Sequence, residues 1–351
     1  MAKRRISKKI RIGNVEIGGD SPVSLQSMCT TDTRDINATT EQIHKLTDAG
    51  CELVRVAVLN QEAAEAVGEI KKRIKIPLIA DIHFDYRLAS ESINQGIDGL
   101  RLNPGNIGNK EHIKKVVKAA KEREIPIRIG VNAGSLEKKL EVSHDKLHKS
   151  LVKSALKHVK ILENLDFDLI KISLKASDVP TMIKAYKEIA KKVNYPLHLG
   201  VTEAGTIKTG LIKSAIGIGV LLNEGIGDTI RVSLTEEPTE EVYAGWEILK
   251  ALNIRNKGLN LISCPTCGRC EVKLIDLAKQ VEDKFRNIEK PLTVAVMGCH
   301  VNGPGEAKSA DVGIACAKKE AVIFKKGIKI KKVPFENALE ALEEEITNLL
   351  N

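Results

Sequence analysis

Three cysteines fall within seven residues at Cys264-Pro265-Thr266-Cys267-Gly268-Arg269-Cys270. The chain holds 7 cysteines, and its basic N-terminus lacks the apolar stretch of a secretory signal, so a reducing, cytoplasmic compartment is expected. In such a compartment a Cys-x-x-Cys pair binds metal or does redox work more readily than it forms a structural disulfide. A second segment, 297-MGCHVNGPGEA-307, places Cys299 after an apolar run. Gly303 and Gly305, either side of Pro304, let the backbone approach a ligand closely, and Glu306 follows. Cys264, Cys267 and Cys299 supply three soft ligands; the fourth is open between Cys270, His300, Cys316 and Glu306. A structural zinc would close its shell with Cys270, His300 or Cys316. An iron–sulfur cluster tolerates three cysteines and one exchangeable ligand, which leaves an iron open to substrate. Cys51 and Cys316 sit in apolar strands and read as core residues. Cys29 lies at the mouth of the first strand.

A second constellation is dispersed along the chain. Eight β-branched runs carry Gln26, Arg55, Asp81 and His83, Arg101 and Asn103, Arg128 and Asn132, Lys171 and Lys175, His198 and Glu203, and Arg231 and Ser233. Four arginines each sit among the apolar residues of a separate run. Burying unpaired charge costs on the order of several kcal/mol, so a core takes four only if something anionic neutralises them. Guanidinium forks match phosphate oxygens, which points to a diphosphate-sized ligand. Glu203 and the Asp81/His83 pair would supply acid–base capacity.

These residues need a scaffold that brings eight strand ends together. The runs at 23–28, 53–58, 77–82, 99–104, 125–132, 168–176, 196–203 and 228–235 alternate with amphipathic helical stretches. One such stretch, 39-TTEQIHKLTDAG-50, carries a threonine N-cap signal and a glycine stop. The alternation predicts an α/β fold, a (β/α)8 TIM-type barrel whose strand C-terminal ends face the site. An open doubly wound sheet would want a Gly-x-Gly-x-x-Gly after the first strand, and none is there. Beyond residue 250 the rhythm changes. The stretch 251–260 reads as a linker and hinge, and the cysteine segment follows it. Next come a helix over 271–288, strands at 292–298, 311–315 and 321–327, a hairpin strand at 328–333 and a helix over 336–350. The expected division is a substrate-binding barrel, 1–250, and a small α+β cluster domain, 251–351.

The net charge of +9 suggests anionic partners, while 3% aromatic residues count against base stacking. No apolar run is long enough to span a bilayer. The segment 325-KKGIKIKKV-333 holds five lysines and reads as a solvated basic surface.

In order along the chain, 24-SLQSM-28, 81-DIHFD-85, 100-LRLNPGNIG-108, 129-IGVNAGSLE-137, 198-HLGVTEAG-205, 263-SCPTCGR-269 and 298-GCHVNGPGEA-307 resemble the motifs of one family. This is the compact bacterial form of the 4-hydroxy-3-methylbut-2-enyl diphosphate synthases, iron–sulfur enzymes of the non-mevalonate isoprenoid pathway. The resemblance implies reductive ring opening and dehydroxylation of 2-C-methyl-D-erythritol 2,4-cyclodiphosphate. Two electrons would pass from flavodoxin or ferredoxin through a [4Fe–4S] cluster. It implies cluster ligands at Cys264, Cys267, Cys299 and Glu306, and substrate contacts at Arg55, Arg101, Arg128, Asn132, Lys175, Arg231 and Ser233. Glu203 falls at the family's proton donor, with His83 and Asp81 beside it. It implies a homodimer in which one subunit's cluster domain acts on the partner's barrel. The chain departs from the family at Cys29-Thr30-Thr31, where Thr-Asn-Thr is usual, and Cys270 lies outside the ligand pattern. Two other readings are a zinc-ribbon nucleic-acid-binding protein, and a barrel enzyme acting on another phosphorylated or pterin substrate with a structural metal domain. The first leaves the strand-embedded arginines without a purpose.

Overall fold

The computed structural model describes residues 2–135, 146–299, 305 and 307–351 and divides into two compact units, Met1–Arg255 and Asn256–Asn351. The first opens with a hairpin, β1 (Ile10–Ile12) and β2 (Val15–Ile17), too short to register in the periodicity of the sequence. Its Ile10, Ile12 and Ile17 pack on Leu53 and Ile79, stoppering the N-terminal end of the strands that follow.

Eight parallel strands then form the barrel: β3 (Ser24–Met28), β4 (Leu53–Ala57), β5 (Leu78–Asp81), β6 (Gly99–Arg101), β7 (Ile127–Asn132), β8 (Ile170–Lys175), β9 (His198–Leu199) and β10 (Thr229–Ile230). β10 pairs with β3, and a bridge between Ile172 and Leu197 joins β8 to β9 and closes the ring. The outer helices are α1 (Ile36–Asp48), α2 (Gln61–Arg73), α3 (Tyr86–Asn94), α4 (Lys110–Glu122), α5 (Leu147–Glu163), α6 (Val179–Ile189), α7 (Ile207–Asn223) and α8 (Pro238–Ala251). Asp35, Asn60, Asp85, Asn109 and Asp178 cap five of them by accepting a backbone N–H of the first turn. The cap of α1 is therefore Asp35, not a threonine; Thr39 and Thr40 lie inside the helix and are buried.

One device recurs at the N-terminal ends of the strands. A carboxylate preceding one strand accepts a backbone N–H from a neighbouring strand. Glu52 takes Leu25 N–H at 2.9 Å, Asp98 takes Leu78 N–H at 2.7 Å and Asp228 takes Leu197 N–H at 2.8 Å. Asp228 is 1% exposed and also binds Ser7 Oγ at 2.9 Å and Arg4 Nη2 at 3.0 Å, tying the N-terminal segment under the barrel.

The second unit is a five-stranded sheet in the order β11 (Leu259–Ser263), β12 (Leu292–Met297), β13 (Val312–Cys316), β14 (Glu320–Lys325) and β15 (Ile328–Pro334). The first three strands are parallel and the last two antiparallel. β11 corrects the sequence reading, which left 251–260 as linker. Its alternation is too short to stand out, and its partner β12 lies about thirty residues on. Helices α9 (Leu274–Phe285) and α10 (Ala338–Leu350) pack their apolar stripes on one face. Asp311 repeats the acid device, accepting Thr293 N–H at 2.9 Å. The β14–β15 turn places Lys326 and Gly327 at φ +47° and +79°, which a hairpin of this kind demands.

Removing the Asp228 carboxylate orphans a buried N–H and a hydroxyl and takes the counter-charge from Arg4, which keeps its bond to Ser21 O. Asp228→Ala should cost about 3 kcal/mol of barrel stability, read as a lowered denaturant midpoint at unchanged slope.

Candidate active site

Inward-facing positions along the barrel strands converge as a cationic cluster. Arg55, Arg101, Arg128, Lys171 and Lys175 are buried, and Arg231 is nearly so. Their positions are deeper than strand-end reasoning expects. Arg128 and Lys171 occupy the second position of β7 and β8 and pair in register, whereas Asn132 and Lys175 end those strands. The site thus runs down into the barrel rather than sitting only on its rim.

Two acids meet these cations in ion pairs. Asp81, 5% exposed, lies 3.1 Å from Arg101 Nη1 and 3.5 Å from Arg55 Nε, and 3.5 Å from His83 Nε2 at the open end. Glu241, 4% exposed in the first turn of α8, lies 3.3 Å from Arg231 Nη2. Between the two groups Met28 Sδ receives Arg55 Nη2 at 2.8 Å and Arg231 Nη1 at 3.7 Å. Glycines make room for the long side chains. A Cβ on Gly130 would come within 2.7 Å of Arg101 Nε, and one on Gly200 within 3.0 Å of Lys175 Nζ and 2.6 Å of a carbonyl. Gly130 also pairs through its backbone with the Asn103 amide, at 2.9 Å in both directions.

This leaves excess positive charge with donors unused. Arg128 Nε and Nη1, Lys171 Nζ, His198 Nε2 and both amide atoms of Gln26 are buried without a protein partner. Burial pushes Lys171 and Lys175 well below the ordinary lysine value and Arg128 well below the ordinary arginine value, with neighbouring cations adding to the effect. Burial brings Arg55 down to about 10, opposed by Asp81 and reinforced by Arg231 and Arg101. Asp81 is held below the usual carboxylate range by those arginines, although its burial works against them. Such a pocket is complementary to a multiply charged anion.

Of the other expected residues, Ser233 is half-buried two residues beyond Arg231, and His83 is exposed at the mouth. Glu203 is exposed just after β9 with φ +53°, a left-handed conformation that glycine usually supplies. Cys29 is 6% exposed, its thiol pushed up to about 12 by burial, so it is an inert part of the core. Cys51 and Cys316 are buried as well. Sequence reasoning missed Met28 as a sulfur acceptor and missed Glu241. Glu241 is one of two adjacent glutamates at a helix start, where acids are common for helix reasons alone.

In the second unit Cys264 directly follows β11 and Cys299 comes two residues after β12, so adjacent parallel strands deliver both to one end of the sheet. Gly298 N–H points at Cys264 Sγ, 3.3 Å away. A Cβ on Gly298 would sit 2.7 Å from Cys270 Sγ, so any side chain there would displace Cys270. Cys267 is exposed, and the backbone N–H of Arg269 holds its thiol below the ordinary value. His300, Gly303, Pro304 and Glu306 lie outside the described residues. Among the described residues no three His, Cys, Asp or Glu side chains converge as a single metal ion requires. The lysine-rich hairpin runs along the sheet edge, with Lys331 and Lys332 in register with Ile323 and Val322 toward the Cys316 end. Its Lys326-Gly327 turn bonds Ala310 O, at the opposite end of the sheet from Cys316 and the other cysteines, about 20 Å of strand away. Lys325, Lys331 and Lys332 are paired with Glu345, Glu344 and Glu320.

The chain matches the family model described as the GcpE TIM-barrel domain over residues 7–246, and the GcpE protein C-terminal domain over 260–348. A protein of Dehalococcoides mccartyi named 4-hydroxy-3-methylbut-2-en-1-yl diphosphate synthase (flavodoxin) is 59% identical over 349 residues, covering 99% of this chain and 100% of that one. A protein of the same name from Geobacter sulfurreducens is 58% identical, covering 98% of each chain. Among solved structures, dihydropteroate synthase from Stenotrophomonas maltophilia gives a TM-score of 0.53 at 11% identity, over 70% of this chain and 99% of that one. Its counterpart from Coxiella burnetii gives 0.52 at 13% identity, over 70% and 98%. At such identities the likeness extends to the barrel fold alone.

The buried imidazole of His198 gives the site a pH signature. Burial, then the surrounding cations, push it well below 6.5. The unfolded chain therefore takes up a proton as pH falls through 6.5 while the folded chain does not, and stability is lost on the acid side. Between pH 6.5 and 5.5 wild type should lose about 1 kcal/mol more than His198→Gln in denaturant titrations.

Proposed function

The chain belongs to the GcpE family, and on that premise we propose that it catalyses the reductive opening of 2-C-methyl-D-erythritol 2,4-cyclodiphosphate to 4-hydroxy-3-methylbut-2-enyl diphosphate in isoprenoid biosynthesis. The observation that carries the reading is the barrel's cationic interior, with buried donors on Arg128 and Lys171 left for an anion. The reaction takes up two electrons, cleaves the ring C–O bond to the diphosphate and releases a hydroxyl as water, so protons must be delivered as well.

The roles follow from chemistry and position. Arg55, Arg101, Arg128, Lys175 and Arg231, with Asn132 and Ser233, bind the diphosphate. That charge also stabilises it as the leaving group when the ring opens, since negative charge grows on the released oxygen. Asp81 orients Arg55 and Arg101 and lies beside His83, which stands at the mouth where a substrate hydroxyl would enter. Glu203 delivers the proton that leaves with the hydroxyl as water.

Cys264, Cys267, Cys299 and Glu306 would hold a [4Fe–4S] cluster. The donor set of the described part suits one. The irons of a cluster take separate ligands, so thiols need not converge on a point as they do at zinc. An amide N–H aimed at a ligand sulfur, as from Gly298 to Cys264, is the kind of contact that tunes such groups. Bound there, such a cluster would supply electrons one at a time, with Glu306 as an oxygen ligand among three thiolates. The reductant is flavodoxin or ferredoxin. The assembly is a homodimer in which each cluster domain serves the partner's barrel, and the enzyme works in the cytoplasm. The zinc-ribbon reading fails because a barrel family model accounts for residues 7–246.

Anaerobic purification with iron analysis and an assay on the cyclodiphosphate with a chemical reductant tests this directly. The protein should be brown, carry four irons per chain and turn over. Cys299→Ser should lose the iron and Cys270→Ser should keep it; a colourless zinc protein would refute the assignment. Lys175→Ala should raise KM about tenfold or more with a smaller change in kcat, as loss of a charged contact to ground-state phosphate requires.

A further inference from the structure

Glu241 has no place in the roles above, yet its carboxylate is fully engaged. Oε1 accepts Leu234 N–H at 3.0 Å, and Oε2 accepts Ser27 Oγ–H at 3.2 Å. The Arg231 guanidinium reaches both oxygens, with Nε at 3.3 Å from Oε2 and Nη2 at 3.3 Å from each. We propose that Glu241 is the positioning residue for the diphosphate site, holding Arg231 and the backbone after Ser233 in the geometry that binds phosphate.

Three physical points support this role. Arg231 faces Arg55 across Met28, and two guanidiniums that close repel each other; burial and Arg231 both weigh on the Arg55 charge. Without an opposing acid on its outer side, Arg231 has reason to swing away. Leu234 follows Ser233 directly, so the bond to Leu234 N–H fixes the turn carrying that hydroxyl. Ser27 ties the same carboxylate to β3, so the helix-borne acid is referenced to the barrel wall.

The inference rests on reading the barrel as a diphosphate site, and the sign of one effect separates it from simple charge balance. Glu241→Gln removes a negative charge from a cationic pocket, which by Coulomb attraction alone tightens anion binding. A glutamine, however, offers one acceptor oxygen where donors from three residues compete, and turns its own N–H groups toward a guanidinium or an amide. Positioning therefore predicts weaker binding.

The experiment measures calorimetric affinity for inorganic diphosphate, together with KM and kcat, in holoenzyme carrying Glu241→Gln, Arg231→Ala or both. Thermal unfolding and iron content serve as controls for folding, and Glu241→Asp serves as a conservative variant that should restore part of any loss. Glu241→Gln should weaken diphosphate about tenfold and raise KM in proportion. In the Arg231→Ala background it should do almost nothing more, because its effect passes through that guanidinium. Tighter binding in Glu241→Gln, or full additivity with Arg231→Ala, would overturn the proposal. If Arg231→Ala itself left diphosphate affinity unchanged, the phosphate reading would fall first, and this one with it.

Discussion

Six cationic side chains share one barrel interior, and most of what is unusual in this chain follows from keeping them there. Like charges in a medium of low polarisability repel strongly and are costly to desolvate. The fold answers with two acids, Asp81 and Glu241, and a thioether, Met28, that separates Arg55 from Arg231. It does not complete the neutralisation. The shortfall is a free-energy gap that a polyanion bound there would close, which would link affinity and stability through the same side chains.

Charge is also segregated along the barrel axis. Glu52, Asp98 and Asp228 lie at the N-terminal ends of the strands, each receiving a backbone N–H. The cations lie in the middle and toward the C-terminal ends. The acids at the bottom secure the strands while remaining committed to amides and to Arg255, Lys71 and Arg4. They are therefore unable to fold over and quench the cations above them. A barrel has two ends with different jobs, and the sequence spends its carboxylates accordingly.

The second unit solves a different problem, which is to bring cysteines from separate stretches of chain to one edge. Adjacent parallel strands β11 and β12 end together, so Cys264 and Cys299, thirty-five residues apart, arrive at one edge. Gly298 permits this by leaving space for Cys270 and by aiming an N–H at Cys264. In the β14–β15 hairpin Lys325 and Lys326 lie at the far end of the sheet, whereas Lys331 and Lys332 lie toward the Cys316 end, and Lys325, Lys331 and Lys332 are held in ion pairs along the sheet edge.

Much of this was legible in the sequence for a local reason. Period-two apolar runs alternating with helical stretches specify strands and helices, and an arginine inside such a run announces itself because so few cores accept one. Hence the eight strands, Arg55, Arg101, Arg128, Arg231 and the cysteine segments could be read directly. What the sequence could not decide was anything set by partners distant along the chain. β11 becomes a strand only because β12 pairs with it, and the depth of Arg128 and Lys171 depends on register with each other. Glu241 is an ordinary helix-start acid until α8 lays it against Arg231 and Ser27. Pattern fixes which residues face inward; only closure of the barrel fixes which of them meet, because that is a matter of geometry between elements that local preferences do not encode.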